Sequence, residues 1–163
     1  MMKQLICRMI EEFDGERKRV EHTIKVYGFS RVIGLSEGLS GSQLEILEAA
    51  ALLHDIGIPA AVREYGSSAG PYQEKTGALI AYNIMSELKP AIAKEVNMLV
   101  GHHHSFGYDG GIILQILFEA DFLVNLSEGS ADAAKITAVK KNIFRTELGL
   151  TLLDGIFKKE LEA

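Results

Sequence analysis

Leu44-Glu45-Ile46-Leu47-Glu48-Ala49-Ala50-Ala51-Leu52-Leu53-His54-Asp55, running on into Ile56-Gly57-Ile58-Pro59, is the stretch on which the fold turns. Its apolar residues occupy nearly every side of a helix, so the helix belongs at the centre of a helical assembly. Two hydrophilic side chains then close it, at the edge of what should be the core. A buried carboxylate costs several kcal/mol unless it is paired or bound to a cation. A neutral imidazole beside a carboxylate is a ready ligand pair for a divalent metal. A His-Asp pair alone is common, and the rest of the chain decides its meaning.

The periodicity on either side is helical too. Leu5, Ile6, Met9, Ile10 and Phe13 make an apolar stripe that Asp14-Gly15 breaks,. In the next helix Val20, Ile24 and Tyr27 form one row, with His22, Val26, Phe29 and Ile33 beside it. After the loop Glu37–Gly41, Ser42 and Glu45 stand at capping-box spacing and predict the start of the central helix,. Gly57 and Pro59 end it, and Tyr65–Pro71 reads as a loop rich in glycine and serine,. Further helices are predicted over Tyr72–Leu88, Pro90–His102, Ile112–Leu126, Ala131–Asn142 and Thr146–Leu161,. Strand alternation is convincing nowhere, and no repeat or linker divides the chain. The expectation is one all-α domain over residues 1–163, a helical bundle.

The 163 residues are enough to bury a sizeable core,. A net charge of −5, from 17 basic and 22 acidic residues, argues against an extended nucleic-acid face,. Cys7 is the single cysteine, and no apolar run reaches membrane-spanning length,. With no secretory leader evident, the expected setting is a reducing cytoplasm. A homodimer is compatible with this composition.

Four polar residues lie on otherwise apolar helices: His22, His54, Asp55 and Asp121, the last within Leu117-Phe118-Glu119-Ala120-Asp121-Phe122-Leu123-Val124. An unpaired carboxylate there would be expensive. Together they offer two imidazoles and two carboxylates, a nitrogen/oxygen set suited to Mn²⁺, Fe²⁺, Co²⁺, Ni²⁺ or Zn²⁺.

This ordered pattern, from about Val20 to Leu126, resembles the H…HD…D signature of the HD-domain superfamily, all-α and mostly metal-dependent phosphohydrolases. The resemblance implies that His22, His54, Asp55 and Asp121 bind one divalent metal, with Mg²⁺ added to the candidates above. Members with two metals carry extra histidines between the second and fourth motif positions. One of them usually precedes a Gly-Ala pair, where this chain reads Gln73-Glu74-Lys75-Thr76-Gly77-Ala78. Glutamine is a poor ligand for these metals, so about one metal per chain is expected. Another extra ligand would come from His102-His103-His104, which cannot all share one helix face. His102 and His103 are the expected members near the metal, binding substrate or a second ion.

The implied reaction is attack of metal-activated water on the phosphorus of a small phosphate ester, a nucleotide or a phosphorylated metabolite. Asp55 would orient that water, with Glu74 the candidate general acid or base. Phosphate also calls for cations. Arg19 and Lys25 lie three residues either side of His22, and Lys75 and Arg63 flank the Gly66–Gly70 loop,. Two other uses of such a chain are a non-catalytic metal-containing binding or sensing module and a di-iron oxygenase.

Overall fold

The computed structural model describes residues 1–162, and its described elements are all helical. In chain order they are α1 Met2–Glu12, α2 Arg17–Ser36, α3 Gly41–Leu53, α4 Ile58–Tyr65, α5 Gly70–Leu88, α6 Ala93–Val100, α7 Gly111–Glu128, α8 Ala133–Ile143, α9 Glu147–Ile156 and α10 Lys158–Leu161. No described helix is long and apolar enough to cross a membrane.

The all-round apolar helix is α3, buried at every position from Leu47 to Leu53. It belongs to two cores at once. Leu47, Ala50 and Ala51 pack with Val26 and Ile33 of α2, Leu117 and Ala120 of α7, and Leu153 of α9. Ala49, Leu52 and Leu53 pack with Leu5 and Met9 of α1, Met85 of α5 and Val96 of α6. Burying a Leu or Ile side chain is worth about 1.5–3 kcal/mol. Two cores meeting on one helix therefore fix where α3 ends, and with it where His54 and Asp55 stand.

Several expectations from the sequence are corrected. The buried face of α2 is His22, Thr23, Val26, Ser30, Ile33 and Gly34. Of the row Val20–Ile24–Tyr27, Val20 and Tyr27 pack against the core edges while Ile24 is exposed. Ser42 caps nothing: α3 starts at Gly41 behind Ser40, and Glu45 pairs with Lys89 instead. Residues 58–65 form α4, with Pro59 in its first turn, where a missing N–H costs no hydrogen bond,. The segment after Pro90 is a short 3-10 turn and then α6, which stops at Val100. His102–His104 consequently lie in a turn beyond that helix.

Candidate metal centre

Three segments bring His22, His54, Asp55 and Asp121 to one point. His22 lies on the buried face of α2, Asp121 is midway along α7, and His54 with Asp55 follows α3. The turn carrying the pair is clamped against α5. A side chain at Gly57 would meet Gln73 O at 2.3 Å and Gly77 N at 2.4 Å, and Thr76 Oγ1 donates to Gly57 O at 2.9 Å. Only glycine allows this approach.

His22 Nε2 stands 3.3 Å from His54 Nε2, 3.2 Å from Asp121 Oδ1 and 3.7 Å from Asp55 Oδ2. His54 Nε2 lies 3.4 Å from Asp55 Oδ2 and 3.6 Å from Asp121 Oδ1. Both rings are fixed from behind: His54 Nδ1 donates to Ala51 O at 2.9 Å and His22 Nδ1 to Glu128 Oε2 at 2.9 Å. A carbonyl or carboxylate only accepts, so each Nδ1 carries its proton and each neutral ring aims its Nε2 lone pair inward. Two lone pairs and two carboxylates thus converge with no donor among them. Only a cation, proton or metal, reconciles four acceptors at these distances.

The proton balance agrees. Burial pushes the His54 imidazole down, but Asp55 and Asp121 outweigh it and hold its pKa well above the usual histidine value. His22 is likewise raised, burial being outweighed by its hydrogen bonds to Asp121 and Glu128. Burial acts upward on Asp55 and Asp121, yet the facing histidines hold both carboxyls below the ordinary range.

A second group adjoins the first through Asp55. One donor atom each from Asp55, His103 and His104 lies within 4.8 Å of the others, just as for His22, His54 and Asp121. Asp55 Oδ1 faces His103 Nε2 at 3.6 Å, while His103 Nδ1 donates to Val100 O at 2.6 Å. The Nε2 atoms of His103 and His104 are buried without a hydrogen-bond partner. Burial, with His103 beside it, pushes the His104 imidazole down.

The other candidates are placed unevenly. His102 belongs to neither group: its Nδ1 donates to Met98 O and its ring stacks on Tyr108 at 3.8 Å. His104 stands in its place, because α6 ends at Val100 and the turn rotates the histidines. Glu74 accepts from His104 N at 2.8 Å and Ser105 Oγ at 3.1 Å, so its carboxylate ties down the histidine turn. Gln73 donates through Nε2 to Ser68 O, and its Oε1 is buried without a partner. Lys75 Nζ lies 5.3 Å from the centre of the Tyr65 ring. Arg19 lines a cleft of about 230 Å³ with His22 and Asp55 and is paired to Glu16 at 2.6 Å. Arg63 lines a separate cleft that shares Glu16 and Arg19. Lys25 Nζ bonds Glu128 Oε1 at 2.9 Å.

Sequence reasoning missed Glu128 and His104. Glu128 stands seven residues after Asp121, two helical turns along the same face of α7, and that spacing was the available signal. His104 had no such signal, since it lies beyond a helix end.

The model of the HD domain family matches residues 19–126 of this chain. Comparison with curated proteins and with solved structures returned no match. The matched segment covers about two thirds of the sequence and contains His22, the His54-Asp55 pair and Asp121 in that order. The chain belongs to the HD-domain family.

Proposed function

We propose that the protein is a metal-dependent phosphohydrolase acting on a small phosphate ester, a nucleotide or a phosphorylated metabolite. The observation that carries this reading is the convergence of His22, His54, Asp55 and Asp121 as acceptors without donors. Family membership adds a metal-dependent hydrolase type of scaffold. The donor set fits a divalent ion such as Mn²⁺, Fe²⁺, Co²⁺, Ni²⁺, Zn²⁺ or Mg²⁺, held by His22, His54, Asp121 and Asp55. Such an ion supplies Lewis acidity, polarising a phosphoryl oxygen and activating water.

The chain's own residues do the rest. Ala51 O and Glu128 hold the His54 and His22 rings in one tautomer, which keeps both Nε2 lone pairs directed inward,. Asp55 turns one oxygen to His54 and the other toward His103, so it can orient a water between the two groups. Arg19 sits at the mouth, with Asp55 and His22 below it.

A second metal is the one alternative that a specific observation favours. The unpartnered Nε2 atoms of His103 and His104, sharing Asp55 with the first group, form a second ligand triad. The resemblance puts Gln73 where members with two metals carry a further histidine, so the second ion is held more weakly than the first. A di-iron oxygenase would need both positions filled with iron.

The test is metal loading of stripped protein, followed by assay against phosphomonoesters and phosphodiesters. Expected is turnover with at least one metal, abolished by a chelator and by Asp55→Asn. Metal-loaded protein inert across the panel would overturn the reading in favour of a binding or sensing module. Two irons per chain with a paramagnetic resonance signal would favour the oxygenase.

A further inference from the structure

Two rows of side chains flank the centre, and Lys18, His22, Asn125 and Glu128 of these rows line the cleft beside Asp55. On α2 they are Lys18, His22 and Lys25, and on α7 they are Asp121, Asn125 and Glu128, each at four- and three-residue spacing,. Four of the six are committed to one another. His22 faces Asp121 at 3.2 Å and Glu128 at 2.9 Å, and Lys25 bonds Glu128 at 2.9 Å. Lys18 and Asn125 are left over. Both are exposed, and both line the cleft with Arg19, His22 and Asp55.

Charge cancellation singles them out further. Arg19 is countered by Glu16 at 2.6 Å, Lys25 by Glu128, and Glu21 is engaged with Arg17 at 3.8 Å. With a divalent ion in place, two positive charges balance Asp55 and Asp121. Lys18, without an ion-pair partner among the described residues, then carries the uncompensated charge of the cleft, and Asn125 adds a neutral amide donor to the same lining.

We propose that Lys18 and Asn125 form the anion subsite of this centre, receiving non-bridging oxygens of the substrate phosphate. The inference rests on the phosphohydrolase reading for the identity of the anion. A point charge on a flexible stem and an amide N–H suit an oxyanion that must be bound briefly and released. Because Lys18 is exposed, the attraction is modest and weakens with salt.

The test is calorimetric titration of Mn²⁺-loaded full-length protein with inorganic phosphate, with Mn²⁺ affinity measured alongside. Lys18→Gln should weaken phosphate binding about three- to tenfold and leave Mn²⁺ binding unchanged. Asn125→Asp, which adds a negative charge where the anion sits, should weaken it further. Lys18→Arg should retain it, and Lys94→Gln on α6 serves as the unaffected control. Phosphate binding that is absent in wild type, or blind to both Lys18→Gln and Asn125→Asp, would overturn the subsite. Lys18-dependent phosphate binding without any ester turnover would keep the subsite and sink the hydrolase reading. Ester turnover with KM indifferent to both positions would do the reverse.

Discussion

His54 is fully buried, yet the carboxylates of Asp55 and Asp121 hold its imidazole pKa well above the usual histidine value. That raised pKa has a definite consequence for stability. The pairing contributes fully below the ordinary histidine value of 6.5 and is lost as pH rises through the higher folded-state value,. Asp55 and Asp121, both depressed, act oppositely: their contribution is complete above the ordinary value of 3.8 and is lost as pH falls through their folded values. Metal-free protein should therefore melt at progressively lower temperature as pH rises above about 7. Protein with saturating metal should not, because its imidazoles must already be deprotonated to bind. Thermal melts across pH, with and without metal, check this, and a metal-free Tm that climbs above neutrality would contradict it. His54, Asp55 and Asp121 stood out in the sequence for the same electrostatic reason: they interrupt or end apolar helices, where burial needs a compensating charge. His22, between Glu21 and Thr23 on a charged helix, stood out only through the ordered pattern it completes. Glu128 and Lys18 did not, since on a surface-facing row they look like any solvated charge.

At the scale of elements, the position of the site depends on how closely the turn after α3 approaches α5. Gly57 and Gly77 make that approach without side chains, and Thr76 closes it with a hydrogen bond to Gly57 O. Gly57→Ala places a methyl group within 2.6 Å of backbone atoms on α5, and backbone cannot rotate out of the way. The variant should lose about 2–3 kcal/mol by denaturant unfolding and bind metal more weakly, because His54 and Asp55 ride on the displaced turn. Undiminished stability would show that α4 and α5 can separate freely. The helix α4 itself was not legible. Gly57 and Pro59 read as a termination, and the same proline is equally at home in the first turn of a new helix,. Within the histidine run, His103 adjoins Asp55 but His102 does not, for a related reason. Periodicity assigns faces within a helix, but α6 stops at Val100 and the following turn replaces His102 with His104.

Over the whole molecule, two different devices hold the helices in register. One is Glu119, fully buried on α7, which accepts from Arg145 N at 2.7 Å, Thr146 N at 3.0 Å, Thr146 Oγ1 and Gln115 Nε2. It joins α7, inside the matched segment, to the start of α9 outside it. Glu119→Ala strands these donors in the interior and should cost about 3 kcal/mol or more. Metal affinity should hardly move, which isothermal titration of the folded variant would check. The other device is the cation that the four convergent acceptors call for. The all-α bundle was legible from helical periodicity alone, but the joining of α2, α7 and the α3–α4 turn through one charge was not, because three distant segments supply it. Binding to the folded state alone stabilises by RT ln(1 + [L]/Kd), about 4 kcal/mol at a thousandfold excess over Kd. For a chain of this size that should raise Tm by roughly 8–16 °C. A chelator should reverse the gain, and Asp121→Asn should blunt it by removing a ligand on α7. One equivalent of metal should account for most of the rise, with the Asp55–His103–His104 group adding little until metal is in excess. A melt indifferent to every divalent ion tried would mean that protons alone reconcile the buried acceptors, and the metal centre would fall with that result.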